Sequence, residues 1–137
     1  MNWLLDTCAL SELVRKKPDP GVLDWFSRHS AESALSVISI GELQFGIERL
    51  PPGRTRNVLQ HWFEGIGTQF GARILVADEP VMRRYGGLRA SVQAMGRPQE
   101  DMDLILAATA SVHRLALVTR NIRHFQDTGI ELVNPWS

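Results

Sequence analysis

Three acidic residues stand at the borders of apolar segments and could together hold a metal ion. Asp6 and Glu42 each follow an apolar run, and Asp103 precedes one. A carboxylate at the edge of an apolar element is costly unless a positive charge meets it, and carboxylates brought close together repel one another. Mg²⁺ and Mn²⁺ prefer such oxygen ligands and would relieve both costs. The three acids therefore indicate metal-dependent chemistry, provided that the fold brings them together.

A bound ion would also define the reaction, because it lowers the pKa of a coordinated water and neutralises charge on a phosphodiester. Hydroxyl, amide and guanidinium groups at nearby strand ends could position water and phosphate. The predicted site consists of Asp6, Glu42 and Asp103 as catalytic and metal-binding residues, and of Thr7, Thr119, Asn121, Arg120 and Arg123 as positioning residues.

Each acid also has an ordinary structural explanation. Asp6 could cap the helix that follows it, Glu42 could lie on the solvent face of its helix, and Asp103 could favour a helix N-terminus electrostatically. For any one residue alone, this structural role is the favoured interpretation. Three such coincidences at the edges of apolar segments are less convincing, so the set as a whole favours a shared site.

The elements that must position these residues alternate between strands and helices. Short apolar or β-branched runs predict strands at residues 2–5, 33–39, 74–77, 116–119 and 130–133. Helical spacing of apolar residues predicts helices near residues 9–17, 20–30, 40–50, 58–63, 79–96 and 102–115, with a glycine-rich stretch after residue 63 and a single turn at 122–125. This alternation is typical of βαβ units, so we predict an α/β fold with a central parallel sheet and helices on both faces.

Ligands of such sheets bind outside the carboxyl ends of the strands. Asp6 and Thr119 fall at the predicted ends of the first and fourth strands, and Glu42 falls in the first turn after the second strand. Asp103 begins the helix that leads to the fourth strand. It reaches the same edge only if that helix packs across it.

Composition places the chain among globular proteins. The 137 residues are 44% hydrophobic, which fits a single domain over residues 1–137, and 15 basic residues balance 15 acidic ones. Zero net charge argues against a nucleic-acid-binding module that depends on charge alone, but not against an enzyme with a local basic rim. A single cysteine, no signal-peptide pattern and no membrane-length apolar run lead us to expect a cytoplasmic protein without membrane contact.

Other chemistries lack their motifs. The chain has no Gly-rich nucleotide loop and no Gly-x-Ser-x-Gly elbow, and its four histidines show no paired metal spacing. A receiver-like regulatory module would need adjacent acids after the first strand and a late lysine, whereas this chain has Asp6 alone and Arg120. A HAD-type phosphatase would need Asp-x-Asp, and Asp6-Thr7-Cys8 does not supply it.

Four blocks in order resemble the PIN-domain ribonucleases, and more narrowly the VapC/FitB-type toxins of type II toxin–antitoxin pairs. The blocks are LLDTCALSEL at residues 4–13, SIGEL at 39–43, DLILAATA at 103–110 and LVTRN at 117–121; the ending GIELVNPW at 129–136 is also similar. The resemblance implies a PIN-like three-layer sandwich that cleaves RNA with Mg²⁺ or Mn²⁺. Asp6, Glu42 and Asp103 match the three family acids, and Thr119 matches the family hydroxyl.

The chain departs from the family pattern at three positions. Asn121 replaces a fourth acid, His124 replaces a frequent downstream Asp, and Cys8 stands where Asn or Ser is common. These departures favour one metal ion over two. The implied mechanism has a metal held by Asp6 and Asp103 that activates a water, with Glu42 holding the ion or orienting that water.

The resemblance also implies partners. We expect an RNA substrate, a homodimer and a cognate antitoxin protein that offers an arginine to the acidic pocket. Larger toxin–antitoxin assemblies are compatible with this expectation, and operator DNA would be contacted only through the antitoxin. The alternative is a catalytically weak PIN-like protein that acts mainly as a binding partner or regulatory module.

Overall fold

A five-stranded parallel sheet lies at the centre of the protein, whose structure is a computed structural model that describes residues 1–137. The strands are β1 (Trp3–Leu5), β2 (Ser33–Ser36), β3 (Ile74–Leu75), β4 (Ala116–Val118) and β5 (Leu132–Val133). They stand in the order β3-β2-β1-β4-β5, and every neighbouring pair is parallel. The predicted parallel sheet is confirmed.

Six α-helices cover both faces of this sheet. They are α1 (Thr7–Glu12), α2 (Pro20–His29), α3 (Val37–Glu48), α4 (Arg54–Phe70), α5 (Glu79–Ala94) and α6 (Asp101–His113). Successive strand residues point to opposite faces. Leu4 therefore packs with apolar side chains of α5 and α6, whereas Leu5 packs with those of α1, α3 and α4. The two cores confirm the predicted three-layer sandwich.

The central position of β1 brings two predicted site residues together. Leu5 of β1 pairs in register with Val118 of β4, so Asp6 and Thr119 leave the sheet side by side. The helix that leads into a parallel strand runs back along the sheet, so α6 begins at the same carboxyl edge. Asp103 lies in the first turn of α6 and therefore stands at this edge as well.

The second strand is shorter than predicted, and this changes the placement of Glu42. β2 ends at Ser36, whose hydroxyl accepts a hydrogen bond from the Ile38 backbone N–H at 3.0 Å and so caps α3. The predicted strand over residues 33–39 is wrong beyond Ser36, because this cap starts the helix at Val37. Glu42 consequently lies in the second turn of α3 rather than in its first.

The glycine-rich stretch predicted after residue 63 is part of a helix. α4 continues through it because Phe63, Ile66 and Phe70 are buried at helical spacing, and this packing outweighs the low helix propensity of the two intervening glycines. The helix ends at Gly71, whose φ of +46° lies in the left-handed region. None of the helices has the length and apolar character that crossing a membrane requires.

Candidate functional site

The carboxylate of Asp6 is buried at the end of β1, where three donors hold it. Its Oδ1 accepts a hydrogen bond from the Thr7 backbone N–H at 2.7 Å, at the start of α1. Its Oδ2 accepts from the Thr119 hydroxyl at 2.7 Å and from the Cys8 thiol at 3.5 Å. Asp6 therefore does cap a helix, as its structural explanation required. The same contacts fix its carboxylate at the carboxyl edge of the sheet.

Thr119 is fully buried and links the end of β4 to this carboxylate. Its hydroxyl donates to Asp6 and accepts from the Asn121 backbone N–H at 2.9 Å. With its acceptor position occupied by Asn121, the hydroxyl proton is directed at Asp6. Asn121 itself is exposed and acts here through its backbone, whereas the sequence-based prediction assigned the role to its side chain.

Cys8 belongs to the same cluster as a neutral thiol. Burial, reinforced by the charge of Asp6, raises the pKa of Cys8 to about 11. A thiol with this pKa remains protonated at neutral pH and is neither a nucleophile nor a soft metal ligand. Cys8 therefore serves as a weak hydrogen-bond donor to Asp6, which leaves an all-oxygen set of acidic ligands.

Glu42 reaches the site from α3 through a hydroxyl relay. The Thr7 hydroxyl donates to Glu42 Oε1 at 2.6 Å and lies 3.0 Å from the hydroxyl of Ser39. Ser39 is buried one helical turn before Glu42, so both side chains lie on the same side of α3. Sequence reasoning missed Ser39, although its spacing of three residues from Glu42 was a usable signal.

The pKa of Asp103 is affected by its burial and by the charges of neighbouring residues. Burial is the largest cause that raises the pKa of Asp103, and the negative charges of Asp6, Glu42 and Glu100 raise it further. His124 opposes these effects, since its Nδ1 lies 3.2 Å from Asp103 Oδ2. The packing of α6 therefore does bring Asp103 within electrostatic reach of Asp6 and Glu42, as a shared site requires.

The donor chemistry of this edge fits a hard divalent cation. All three acids offer carboxylate oxygens, and their mutual repulsion already disfavours the ionised form of Asp103. No group of three acidic, histidine or cysteine side chains is arranged as a ready-made metal site, however. Mg²⁺ keeps several waters and needs only one or two carboxylates directly. Asp6 and Asp103 suit direct contact, with Glu42 as a further ligand or a water-mediated one, and this assignment stays a prediction.

Arg120 and Arg123, the two arginines predicted to bind phosphate, form no ion pair with the three acids. The Arg120 guanidinium stacks over the ring of Trp136, 5.8 Å from its centroid, and faces a separate cavity. Its predicted role in positioning water and phosphate stays a prediction. Arg123 is exposed in a 3₁₀ turn at Ile122–His124 and forms no ion pair, so it remains free to meet an anion.

The parallel sheet and the acidic residues at its carboxyl edge are the features expected of a PIN domain, and comparison with known protein families supports this assignment. The PIN domain matches residues 3–131, and the chain belongs to this family.

Two relatives and one solved structure place the chain near particular members of the PIN-domain family. The chain is 34% identical over 135 residues to VapC ribonuclease Y4jK of Sinorhizobium fredii, covering 97% of this chain and 96% of that protein. It is 36% identical over 135 residues to toxin FitB of Neisseria gonorrhoeae, covering 97% of each. The structure of FitAcB from Neisseria gonorrhoeae matches with a TM-score of 0.93 at 34% identity, covering 98% of each chain. The predicted VapC/FitB resemblance is confirmed.

The raised pKa of Asp103 predicts a stability difference that depends on pH. The folded protein binds this proton more readily than the unfolded chain, so the penalty of ionised Asp103 is absent below about pH 4 and grows as pH rises through the raised pKa. We expect Asp103→Asn to raise the free energy of unfolding at neutral pH by about 1 kcal/mol, measured by urea denaturation.

The matched control is Asp101→Asn. Asp101 lies in the same first turn of α6 but is exposed and accepts a hydrogen bond from Tyr85. Its replacement is expected to give no stabilisation. An Asp103→Asn variant that is no more stable than wild type at neutral pH, or whose advantage persists in acid, would contradict the repulsion inferred here.

Proposed function

We propose that the protein is a Mg²⁺- or Mn²⁺-dependent endoribonuclease and the toxin component of a VapBC-type toxin–antitoxin pair. The observation that supports the proposal is the link from Asp6 through Thr7 to Glu42 at the carboxyl edge of a PIN-domain sheet, where Asp103 also lies in the first turn of α6. Relatives support the reaction class, since one is named VapC ribonuclease Y4jK and another tRNA(fMet)-specific endonuclease VapC of Shigella flexneri.

In this proposal each of the three acids has a different role, because each has different neighbours. Asp6 is immobilised by Thr119 and provides a fixed ligand oxygen, while Asp103 provides a second from α6. Glu42 is exposed and tethered only through Thr7, so it can accept a hydrogen bond from a water at the site. When bound, Mg²⁺ or Mn²⁺ supplies charge neutralisation on the phosphodiester and a lowered pKa for a coordinated water.

Cationic help for the phosphate comes from the exposed side of the site. Arg123 has no ion-pair partner and can approach a negatively charged strand that lies along the acidic edge. His124 pairs with Asp103 while the acids repel one another.

The proposed partners are a cognate antitoxin and a second copy of this chain. One relative is named toxin FitB, and a FitAB assembly bound to an IR36 DNA fragment contains a chain that matches with a TM-score of 0.93 at 33% identity. An exposed apolar patch formed by Val37, Phe45 and Met102 lines a cavity of about 390 Å³ beside Glu42. Apolar patches of this kind are typical of protein interfaces, which supports a protein partner close to the acids.

Homodimer formation is tested by sedimentation of the purified chain. At micromolar concentration we expect a species of about twice the chain mass of 15.4 kDa. A monomer under these conditions would count against this part of the proposal, and it would leave the nuclease assignment unaffected.

The nuclease proposal predicts that RNA cleavage depends on both the metal and the three acids. Purified protein is incubated with total bacterial RNA and Mg²⁺ or Mn²⁺, and fragment ends are read by sequencing. We expect excess EDTA to abolish cleavage and Asp6→Asn, Glu42→Gln and Asp103→Asn each to reduce it by about 100-fold or more, because each removes a ligand or water-orienting oxygen.

The control is again Asp101→Asn, which removes a neighbouring carboxylate from the same helix and should leave cleavage unchanged. Cleavage that persists in EDTA, or full activity of Asp6→Asn, would refute the metal mechanism. Absence of cleavage with either metal, in a protein that still binds its antitoxin, would favour the binding-partner alternative instead.

A further inference from the structure

A second cavity, of about 420 Å³, lies next to the residue that follows Thr119. Its lining is unusually charged for its size. Three cations, two carboxylates and one indole ring face it: Arg15, Lys17, Arg120, Glu12, Asp19 and Trp136. What the cavity can bind depends on which of these charges remain available to a ligand.

Both carboxylates are already engaged by groups of the protein. Glu12 is buried; its Oε1 accepts from Arg15 at 3.2 Å and from the indole N–H of Trp136 at 3.3 Å, and its Oε2 accepts from the Asp19 backbone N–H at 2.8 Å. Asp19 caps α2 and also accepts from the backbone and hydroxyl of Ser137. These hydrogen bonds lower the pKa of both carboxyls, the largest contribution coming from the Asp19 backbone N–H for Glu12 and the Ser137 backbone N–H for Asp19.

Two of the cations, in contrast, have no ion-pair partner. Lys17 and Arg120 are both exposed and form no salt bridge. Arg120 stacks over the Trp136 ring, which is itself fixed by its hydrogen bond to Glu12. The cation–π contact orients Arg120 towards the indole, and its N–H groups make no hydrogen bond within the protein, so they remain for an acceptor. The charged side chains of this cavity that have no ion-pair partner are therefore both cations.

The wall that carries Trp136 is held by a close approach that only glycine permits. A Cβ at Gly21 would clash with the backbone of Pro135 and Ser137. The absence of a side chain lets residues 135–137 lie directly against the start of α2. The position of the indole beneath Arg120 is thus fixed by the packing of two segments that are far apart in the chain.

The cavity is linked to the acidic edge by two short paths. Arg120 directly follows Thr119, the donor to Asp6. α1 connects Asp6 at its start with Glu12 at its end, and six helical residues span about 9 Å at ~1.5 Å per residue. The cavity therefore lies about one short helix away from Asp6, close enough for one RNA strand to contact both.

We infer that this cavity binds a backbone phosphate of the RNA strand, close to the bond that is cut. The inference rests on the proposed nuclease function and adds a substrate-positioning subsite to it. Arg120 and Lys17 contact the phosphate, and Trp136 and Glu12 act as positioning residues that hold Arg120. Contacts to phosphate fix the position of the strand without reading its sequence.

An RNA strand fits the site better than an acidic peptide because the cavity adjoins the proposed cleavage site. The fork of an arginine matches phosphate and carboxylate alike, so the deciding observation is that the cavity lies close to the acids that would cut the same RNA strand. A local cluster of this kind also allows a protein of zero net charge to hold a polyanion.

The test measures RNA binding as a function of salt concentration. A fluorescein-labelled single-stranded RNA of about 12 nucleotides is titrated in the Asp6→Asn background, where cleavage is expected to be strongly reduced, with Mg²⁺ present. We expect Lys17→Ala and Arg120→Ala each to weaken binding roughly fivefold. Each should also lower the slope of log K against log salt by about 0.7, the value expected when the protein neutralises one phosphate fewer on a single strand.

Two further variants separate charge from structure. Arg120→Lys keeps the charge and should retain the salt slope while binding more weakly, because the stacked fork is removed. Arg83→Ala is the matched control, since Arg83 pairs only with Glu79 on the exposed surface of α5. It should change neither affinity nor slope. Lys17 is exposed and unpaired, so its replacement tests the subsite even if Arg120→Ala fails to fold.

A cleavage assay of the protein with Asp6 intact separates the nuclease function from the phosphate subsite. If that chain cleaves RNA but the Lys17 and Arg120 variants bind with unchanged slope, the subsite is refuted and the nuclease function stands. If that chain neither binds nor cleaves RNA, both fail. If poly-glutamate competes with RNA equally well and loses affinity in the same variants, the cavity recognises acidic peptide, and the inference is likewise overturned.

Discussion

The hydrogen bond from the Thr119 hydroxyl to the Asp6 carboxylate joins the ends of β1 and β4, and the acidic edge is arranged around it. Both residues are buried, so bulk water cannot stabilise the charge and fixed donors must do so. The Thr7 backbone supplies one such donor, and the Thr7 hydroxyl extends the network to Glu42 on α3. A single parallel register, Leu5 opposite Val118, therefore determines where the carboxylate oxygens stand.

The arrangement keeps like charges closer together than stability alone would favour. Burial is the main cause that raises the pKa of Asp103, and the negative charges of Asp6 and Glu42 raise it further. His124 relieves part of the repulsion, at a position where the family frequently has another acid. Functional sites commonly retain destabilising features of this kind. Because His124 and Asn121 stand in place of acids, we predict one bound ion rather than two.

Sequence patterns predicted the parallel sheet and the three acids because both follow from simple periodicities and from the rule that ligands bind at strand carboxyl ends. They failed where a local hydrogen bond or tertiary packing decided the outcome. The Ser36 cap moved Glu42 one turn deeper into α3. The direction of Arg120 depends on Trp136, which is distant in sequence and held by Glu12, so no local pattern could reveal it. Ser39 was overlooked although its spacing from Glu42 was visible.

The claim that three carboxylates from different elements serve one ion is tested most directly by Mn²⁺ binding, followed by electron paramagnetic resonance. We expect about one ion bound per chain, with affinity reduced by Asp6→Asn, Glu42→Gln and Asp103→Asn, and unchanged by Asp101→Asn. Mn²⁺ affinity that is unaffected by Asp6→Asn and Asp103→Asn would contradict this claim, because the ion would then lie elsewhere and the acidic edge would not be the metal site.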